Sequence, residues 1–264
     1  MFVSFVVATF NCAALVPGFV RGFERLDFAD FEVLVCDGGS TDETVSAISK
    51  CRNVRIIKST PDSGIYDAWN SALPDCHGDY IAFLGIDDLP QGLFCRKAKT
   101  YVDGAISPPA LIYGDVVVVR GDRQRLKVTP ENLRFVETDV PVMDFAQPGA
   151  LNHRKLFDGN QFDLSFRLAG DLDFYIRVKA LLRRFGTLKI AETQAVIGAD
   201  GVSNSAKAYS VYCEEFSAIE LRQGVNFGSL RQQYRLKSVF GYVPAFHDFL
   251  RNISWRLKSS RRSG

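Results

Sequence analysis

The first ninety residues alternate short apolar runs with amphipathic stretches. Residues 3–8, 31–36, 54–58 and 79–84 are apolar enough to read as buried strands, and 13–25, 42–50 and 64–73 space their apolar positions as helices do. Such an alternation predicts an α/β fold with a mostly parallel central sheet, covered on both faces, that receives ligands at the carboxyl ends of its strands. The loops at those ends begin Thr9-Phe10-Asn11, Asp37-Gly38-Gly39-Ser40-Thr41-Asp42, Ser59-Thr60-Pro61-Asp62 and Gly85-Ile86-Asp87-Asp88. Each sends small polar or acidic residues to one rim. Beyond Pro90 the alternation weakens. A helix near 91–102, β-rich stretches at 112–119 and 125–128, a helix over 171–185, a strand over 188–197 and a helix over 206–222 predict a second half and an extension. No internal repeat or low-complexity segment is present.

The chain has 264 residues, 47% hydrophobic and 23% charged, which suits an ordinary globular protein and excludes disorder as the starting assumption. Its formal net charge is only +2, yet residues 222–264 carry nine Lys or Arg against the single acid Asp248, so the base is concentrated at one end. The six cysteines form no Cys-x-x-Cys pair, which points to a reducing cytoplasm without disulfides. The apolar start lacks a positive n-region and is interrupted by Asn11 and Pro17, so it reads as a strand and helix rather than a leader. No other stretch approaches the roughly 20 apolar residues of a spanning helix. Any membrane contact is expected from the side.

Asp87 and Asp88 follow the strand over 79–84. Bare acids at a strand mouth suit a hard cation such as Mg²⁺ or Mn²⁺, which takes oxygen ligands and keeps substrate phosphates and water in its shell. In extended chain the two would point apart, one toward a metal and one toward ribose or protein. A turn or helix-capping role is the alternative. In CDGGSTDET, Ser40 and Glu43 have the spacing of a capping box, and Asp37, before two glycines, either accepts from a base N–H or shapes a turn. There is no Gly-x-Gly-x-x-Gly after the first strand and no P-loop, which argues against a dinucleotide oxidoreductase and a P-loop NTPase. His77, His153 and His247 lack ligand spacing. Trp69 is read as core, with stacking on a ligand as the alternative.

Five segments, FVVATFN, EVLVCDGGSTDET, DSGIYDAWN, GDYIAFLGIDD and AGDLDFYIR, occur in the order and approximate spacing of glycosyltransferase family 2. Over about residues 2–205 the chain resembles that family, and bacterial polysaccharide-biosynthesis enzymes in particular. The resemblance implies a GT-A fold, with a nucleotide-sugar-binding half over 1–90, an acceptor half over 91–205 and a C-terminal helical, basic extension over 206–264. It implies that Thr9, Asn11 and Asp37 contact the nucleotide, Asp37 on the base; that Asp62 and Asn70 line the donor pocket; that Asp87 lies near the ribose; and that Asp88 ligates Mg²⁺ or Mn²⁺. Asp171 falls at the family's catalytic base, with Asp173 as the fallback. Two positions depart from the pattern: Gly170 replaces the usual acid before that Asp, and Ala146-Gln147-Pro148 stands where relatives often show His-Gln.

The activity so implied is metal-dependent inverting transfer from a nucleotide-sugar donor, most simply a UDP-sugar, to a glycan or lipid-linked acceptor for cell-surface polysaccharide. A non-catalytic nucleotide-binding subunit of a membrane-associated assembly is the alternative. A nucleotidyltransferase would want a Gly-rich, basic loop after the first strand, and ATFNCAAL offers neither. In residues 244–262, Phe246, Phe249, Leu250, Ile253 and Leu257 fall at helical spacing among five Arg and Lys residues. That pattern suits either an interfacial helix on the anionic cytoplasmic face of a membrane or a helix packed on the catalytic domain. It carries no recognisable motif of a nucleic-acid binder, and no nucleic acid is expected.

Overall fold

Strand β1 (Val3–Thr9) consists mainly of β-branched and aromatic residues, and every residue but Ala8 is buried. Burial on both faces suits a strand at the centre of a helix-covered parallel sheet. In the computed structural model, which describes residues 1–51, 53–137, 143–198 and 206–240, β1 lies between β2 (Phe31–Asp37) and β4 (Tyr80–Gly85). Strand β3 (Val54–Ser59) lies outside β2, and all four run parallel. The sheet continues antiparallel through β8 (Leu151–His153) to β6 (Leu111–Arg120). Strand β9 (Thr187–Gly198) then pairs parallel with β6, and the two-residue β5 (Leu89–Pro90) closes the edge. Pro90 is tolerated there because an edge strand need not donate on both sides. Strand β7 (Arg123–Lys127) forms a hairpin with β6.

The register of the parallel half decides where the chemistry sits. Thr9 lies opposite Asp37, Asp37 opposite Ser59, and Ala8 opposite Gly85. The strands therefore end at one level, and a one-residue slip would turn these side chains to the other face.

Helices α1 (Val16–Glu24), α2 (Thr44–Ile48), α3 (Ile65–Ala72) and α4 (Gly92–Gly104) follow the strands. Phe19 and Phe23 of α1 pack with Phe5 and Phe31 of the sheet, with ring centroids 5.0–5.9 Å apart. The expected helix over 13–25 divides into a 3₁₀ turn, Ala13–Leu15, and α1, with Pro17 in the first turn, where its missing N–H removes no helical bond.

The second half adds α5 (Arg134–Glu137), α6 (Gly170–Arg177) and α7 (Lys179–Phe185). The single helix expected over 171–185 is two, because the backbone leaves helical values at Val178, where ψ is 6°. Gly186, at φ 81°, ends α7.

The chain forms two compact units, Met1–Ala199 and Asp200–Gly264. The second contains α8 (Ala206–Gln223) and α9 (Gly228–Phe240), held by Tyr209, Tyr212, Phe216, Phe227 and Tyr234, whose neighbouring rings lie 4.9–5.6 Å apart. The bounds of helix α9 were not marked in the sequence, since its polar residues carry no broad apolar stripe. Residues 244–262 lie outside the described residues. Among the described residues no helix is long and apolar enough to cross a membrane. All six cysteines are free thiols.

Candidate active site

Asp37, the last residue of β2, has no exposed surface and takes five hydrogen bonds. Its Oδ1 accepts from the hydroxyls of Thr9 (3.0 Å) and Ser40 (2.5 Å). Its Oδ2 accepts from the amides of Gly39 (3.1 Å) and Ser40 (2.8 Å) and the Ser59 hydroxyl (3.1 Å). Burial pushes the carboxyl upward, but the Ser40 hydroxyl and amide, with Thr9 and Ser59, outweigh it and hold Asp37 below the usual carboxylate range. The capping box expected from Ser40 and Glu43 is absent: α2 begins at Thr44 with Glu43 at its N-cap, and Ser40 Oγ accepts from the Asn11 amide while its hydroxyl donates to Asp37. Asp42 supports the start of α2 instead, its Oδ1 accepting from the amide and hydroxyl of Thr44.

Asn11 braces the same loop. Its Oδ1 accepts from the Thr41 amide at 2.8 Å, and its own amide donates to Ser40 Oγ at 2.8 Å. It does so at φ 45°, the only positive φ outside glycine among the described residues and one that Asn tolerates better than most. Asp62 accepts from the Gly64 amide at 2.9 Å, and its carboxylate lies only 3.0 Å from where a Cβ on Gly38 would stand. Thr9, Asn11, Asp37 and Asp62 thus form one continuous edge.

Asp87 and Asp88 do not continue β4 as extended chain. The Asp88 amide donates to Gly85 O at 3.2 Å in a tight turn, and Asp88 Oδ2 accepts from the Gly85 amide at 2.7 Å. Asp87 is exposed and Asp88 only 8% exposed. Burial pushes the Asp88 carboxyl up to about 7, opposed by the Gly85 amide and reinforced by the charge of Asp87. Asp87 reaches across to β9, where a Cβ on Gly198 would stand 2.2 Å from its Oδ2. No Lys or Arg among the described residues pairs with either acid.

An uncompensated, oxygen-only pair fits a hard divalent cation. No group of three or more His, Cys, Asp or Glu side chains capable of holding a metal occurs among the described residues. Asp88 would therefore hold such a cation with few other protein ligands, the remainder coming from a ligand's phosphates and water.

Asn70, expected in the donor pocket, has its amide committed elsewhere. It donates to Phe162 O at 2.8 Å and accepts from the Phe162 amide at 3.0 Å, clamping the 158–166 loop to α3. Trp69 is core, 6% exposed among Tyr66, Phe83 and Phe162. Asp171 lies in the first turn of α6, where Ala169 rather than an acid is the N-cap residue. The Tyr66 hydroxyl approaches Asp171 Oδ1 at 3.4 Å. Asp173, the fallback base, is 1% exposed and salt-bridged to Arg177 at 2.8 Å, so it serves the fold. The Ala146-Gln147-Pro148 segment is held by β9, Gln194 donating to Ala146 O and Pro148 O at 2.8 Å.

Two residues of these rim loops carry no role in the sequence reading. Ser59 completes the Asp37 cluster, which its register at the end of β3 could have signalled. Phe10, between Thr9 and Asn11, is 63% exposed, and a large aromatic turned to solvent in a loop of polar neighbours is a signal in its own right.

The comparisons agree on family and fold. A PGL/p-HBAD biosynthesis glycosyltransferase of Mycobacterium bovis is 33% identical over 120 residues, 44% of this chain and 46% of the relative. The Escherichia coli UDP-Glc:alpha-D-GlcNAc-diphosphoundecaprenol beta-1,3-glucosyltransferase WfaP is 36% identical over 88 residues, 33% of this chain and 35% of its own. The chain thus matches less than half the length of these relatives. Staphylococcus aureus TarS, solved with UDP-GlcNAc, superposes with a TM-score of 0.63 at 19% identity, covering 92% of this chain and 73% of that one. The mannosyltransferase PcManGT of Pyrobaculum calidifontis, solved with GDP-Man and Mn²⁺, gives 0.61 at 16% identity, covering 99% and 75%. These likenesses establish the GT-A fold. The family model for glycosyl transferase family 2 matches residues 4–186, and the chain belongs to that family.

Proposed function

We propose that the protein transfers a sugar, with inversion, from a nucleoside-diphosphate donor to a hydroxyl of a glycan or lipid-linked acceptor. The observation that carries this reading is the uncompensated acidic pair at the end of β4, beside the polar edge formed by β1–β3. The nucleotide lies along that edge. Thr9, Asn11 and Asp62 border it, and the loop that Asp37 holds in shape offers the base its backbone and hydroxyl groups. Asp87 faces the ribose. Asp88 would hold Mg²⁺ or Mn²⁺, which when bound would neutralise the charge on the departing diphosphate. Asp171 accepts the proton of the acceptor hydroxyl as that oxygen bonds to the anomeric carbon and the bond from this carbon to the diphosphate oxygen breaks. A placed base of this kind contributes about 10² to 10⁴ in rate.

A UDP-sugar is the favoured donor and a lipid-linked glycan the favoured acceptor, a choice supported by the substrates for which the E. coli glucosyltransferase is named. The basic segment 244–262 would then keep the enzyme on the anionic cytoplasmic face of the membrane that carries such acceptors.

Calorimetric titration of UDP and GDP, with and without Mn²⁺, into wild type and Asp88→Asn tests the reading. Cation-dependent binding of one nucleotide, lost in the variant, is expected. Binding of neither nucleotide would overturn it.

A further inference from the structure

Helix α3 meets α6 through a contact that no local pattern announces. The Tyr66 ring, 4% exposed, lies directly against the backbone of Gly170. A Cβ at position 170 would fall 2.6 Å from Tyr66 Cε2 and 2.9 Å from both Cδ2 and Cζ, inside any contact a real side chain makes. Buried aromatic rings do not yield as the end of a flexible chain does. Tyr66 stacks on Phe162 at 5.4 Å with 27° between planes and meets Trp69 edge-on at 5.6 Å. Phe162 is in turn clamped through its backbone by Asn70, one turn along α3. The ring is therefore fixed on several sides, and its hydroxyl reaches Asp171 Oδ1, the oxygen that also accepts from the Leu172 amide at 2.8 Å.

We propose that Tyr66 is the positioning residue for Asp171, and that Gly170 is glycine so that the ring can reach it. The DSGIYDAWN segment then serves the acceptor side of the reaction: Asn70 fixes Phe162, Phe162 and Trp69 fix the Tyr66 ring, and the Tyr66 hydroxyl orients the carboxylate. At 3.4 Å the bond is long, as catalytic hydrogen bonds often are before substrates bind. This inference rests on Asp171 being the base.

The test follows the Asp171 carboxyl by ¹³C NMR, assigned by its loss in Asp171→Asn, in wild type and Tyr66→Phe. The Phe variant keeps the ring and its packing and removes only the hydroxyl. A donor to a carboxylate favours its charged form, so in Tyr66→Phe the midpoint should move to higher pH. In a transfer assay, once the calorimetric nucleotide has identified a donor, kcat should fall roughly tenfold, its acidic limb should move the same way, and KM for the donor should stay unchanged.

The packing half of the proposal has its own readout. Gly170→Ala should lower Tm in wild type and have little further effect in Tyr66→Ala, because the clash is with the ring. An unmoved midpoint in Tyr66→Phe, with Asp171→Asn inactive, overturns the positioning role alone. An equal cost of Gly170→Ala in both backgrounds overturns the packing half. An active Asp171→Asn overturns the base assignment on which the inference rests.

Discussion

Asp88 folds its carboxylate back onto the amide of Gly85, three residues earlier, at 2.7 Å. One oxygen is thereby fixed at the mouth of β4 while burial leaves the group poorly solvated. Folding raises its midpoint from 3.8 to about 7. An acid raised in this way is held protonated more tightly by the folded chain, so stability is full below the unfolded midpoint and declines as pH climbs toward 7. Asp88→Asn keeps an acceptor for Gly85 and cannot ionise. At pH 8 without metal, thermal melts should show it more stable than wild type by on the order of 2–4 kcal/mol. Mn²⁺ should raise the wild-type Tm and leave the variant unmoved.

Asp37→Ala should behave in the opposite sense. It strands two amides and three hydroxyls at the strand ends, and urea denaturation at pH 7 should report a loss of about 3 kcal/mol. The folded midpoint of Asp37 is depressed, so its contribution is present above the unfolded midpoint and is lost as pH falls through the folded one. Wild type and variant should therefore converge in stability as the pH is lowered below about 4.

Arg177→Met separates the two acids of α6. It leaves Asp173 as a buried charge without its 2.8 Å partner and should cost roughly 3 kcal/mol in urea. Asp171→Asn should stay within about 1 kcal/mol of wild type while losing transfer. A reversal of these two outcomes would make Asp173 the working acid.

Phe10→Ala removes an exposed ring and should leave Tm essentially unchanged. If the ring is a face for the base, nucleotide affinity should fall by about 5- to 150-fold, in line with base–aromatic stacking, and the metal requirement should persist. Equal affinity in calorimetry would remove Phe10 from the site.

Much of this organisation is readable before any coordinates. Strands buried on both faces appear as uninterrupted apolar runs, and each run breaks into a loop of Thr, Asn, Asp or Gly, so the element order and the rim of Asp37, Asp62, Asp87 and Asp88 follow from pattern alone. Local competition is harder to see. Ser40 and Glu43 have capping-box spacing, but the Asn11 amide, 29 residues earlier in sequence, reaches Ser40 Oγ, and α2 starts at Thr44 instead. Val178 sits within apolar spacing that continues on both sides of the helix break. Asn70 looks like a pocket residue, and only the fold brings Phe162 to it. Tyr66 and Gly170 are far apart in sequence, and their fit depends on how two helices pack.

The carboxylate of Asp37 receives Thr9 from β1 and Ser59 from β3 while belonging to β2 itself. Its cluster cannot close until three strands from two successive crossovers have docked in register. Maturation of this polar edge and consolidation of the amino-terminal sheet are then a single cooperative event. A chain whose β3 has yet to dock would lack part of the cluster that shapes this edge, which couples ligand affinity to completion of folding.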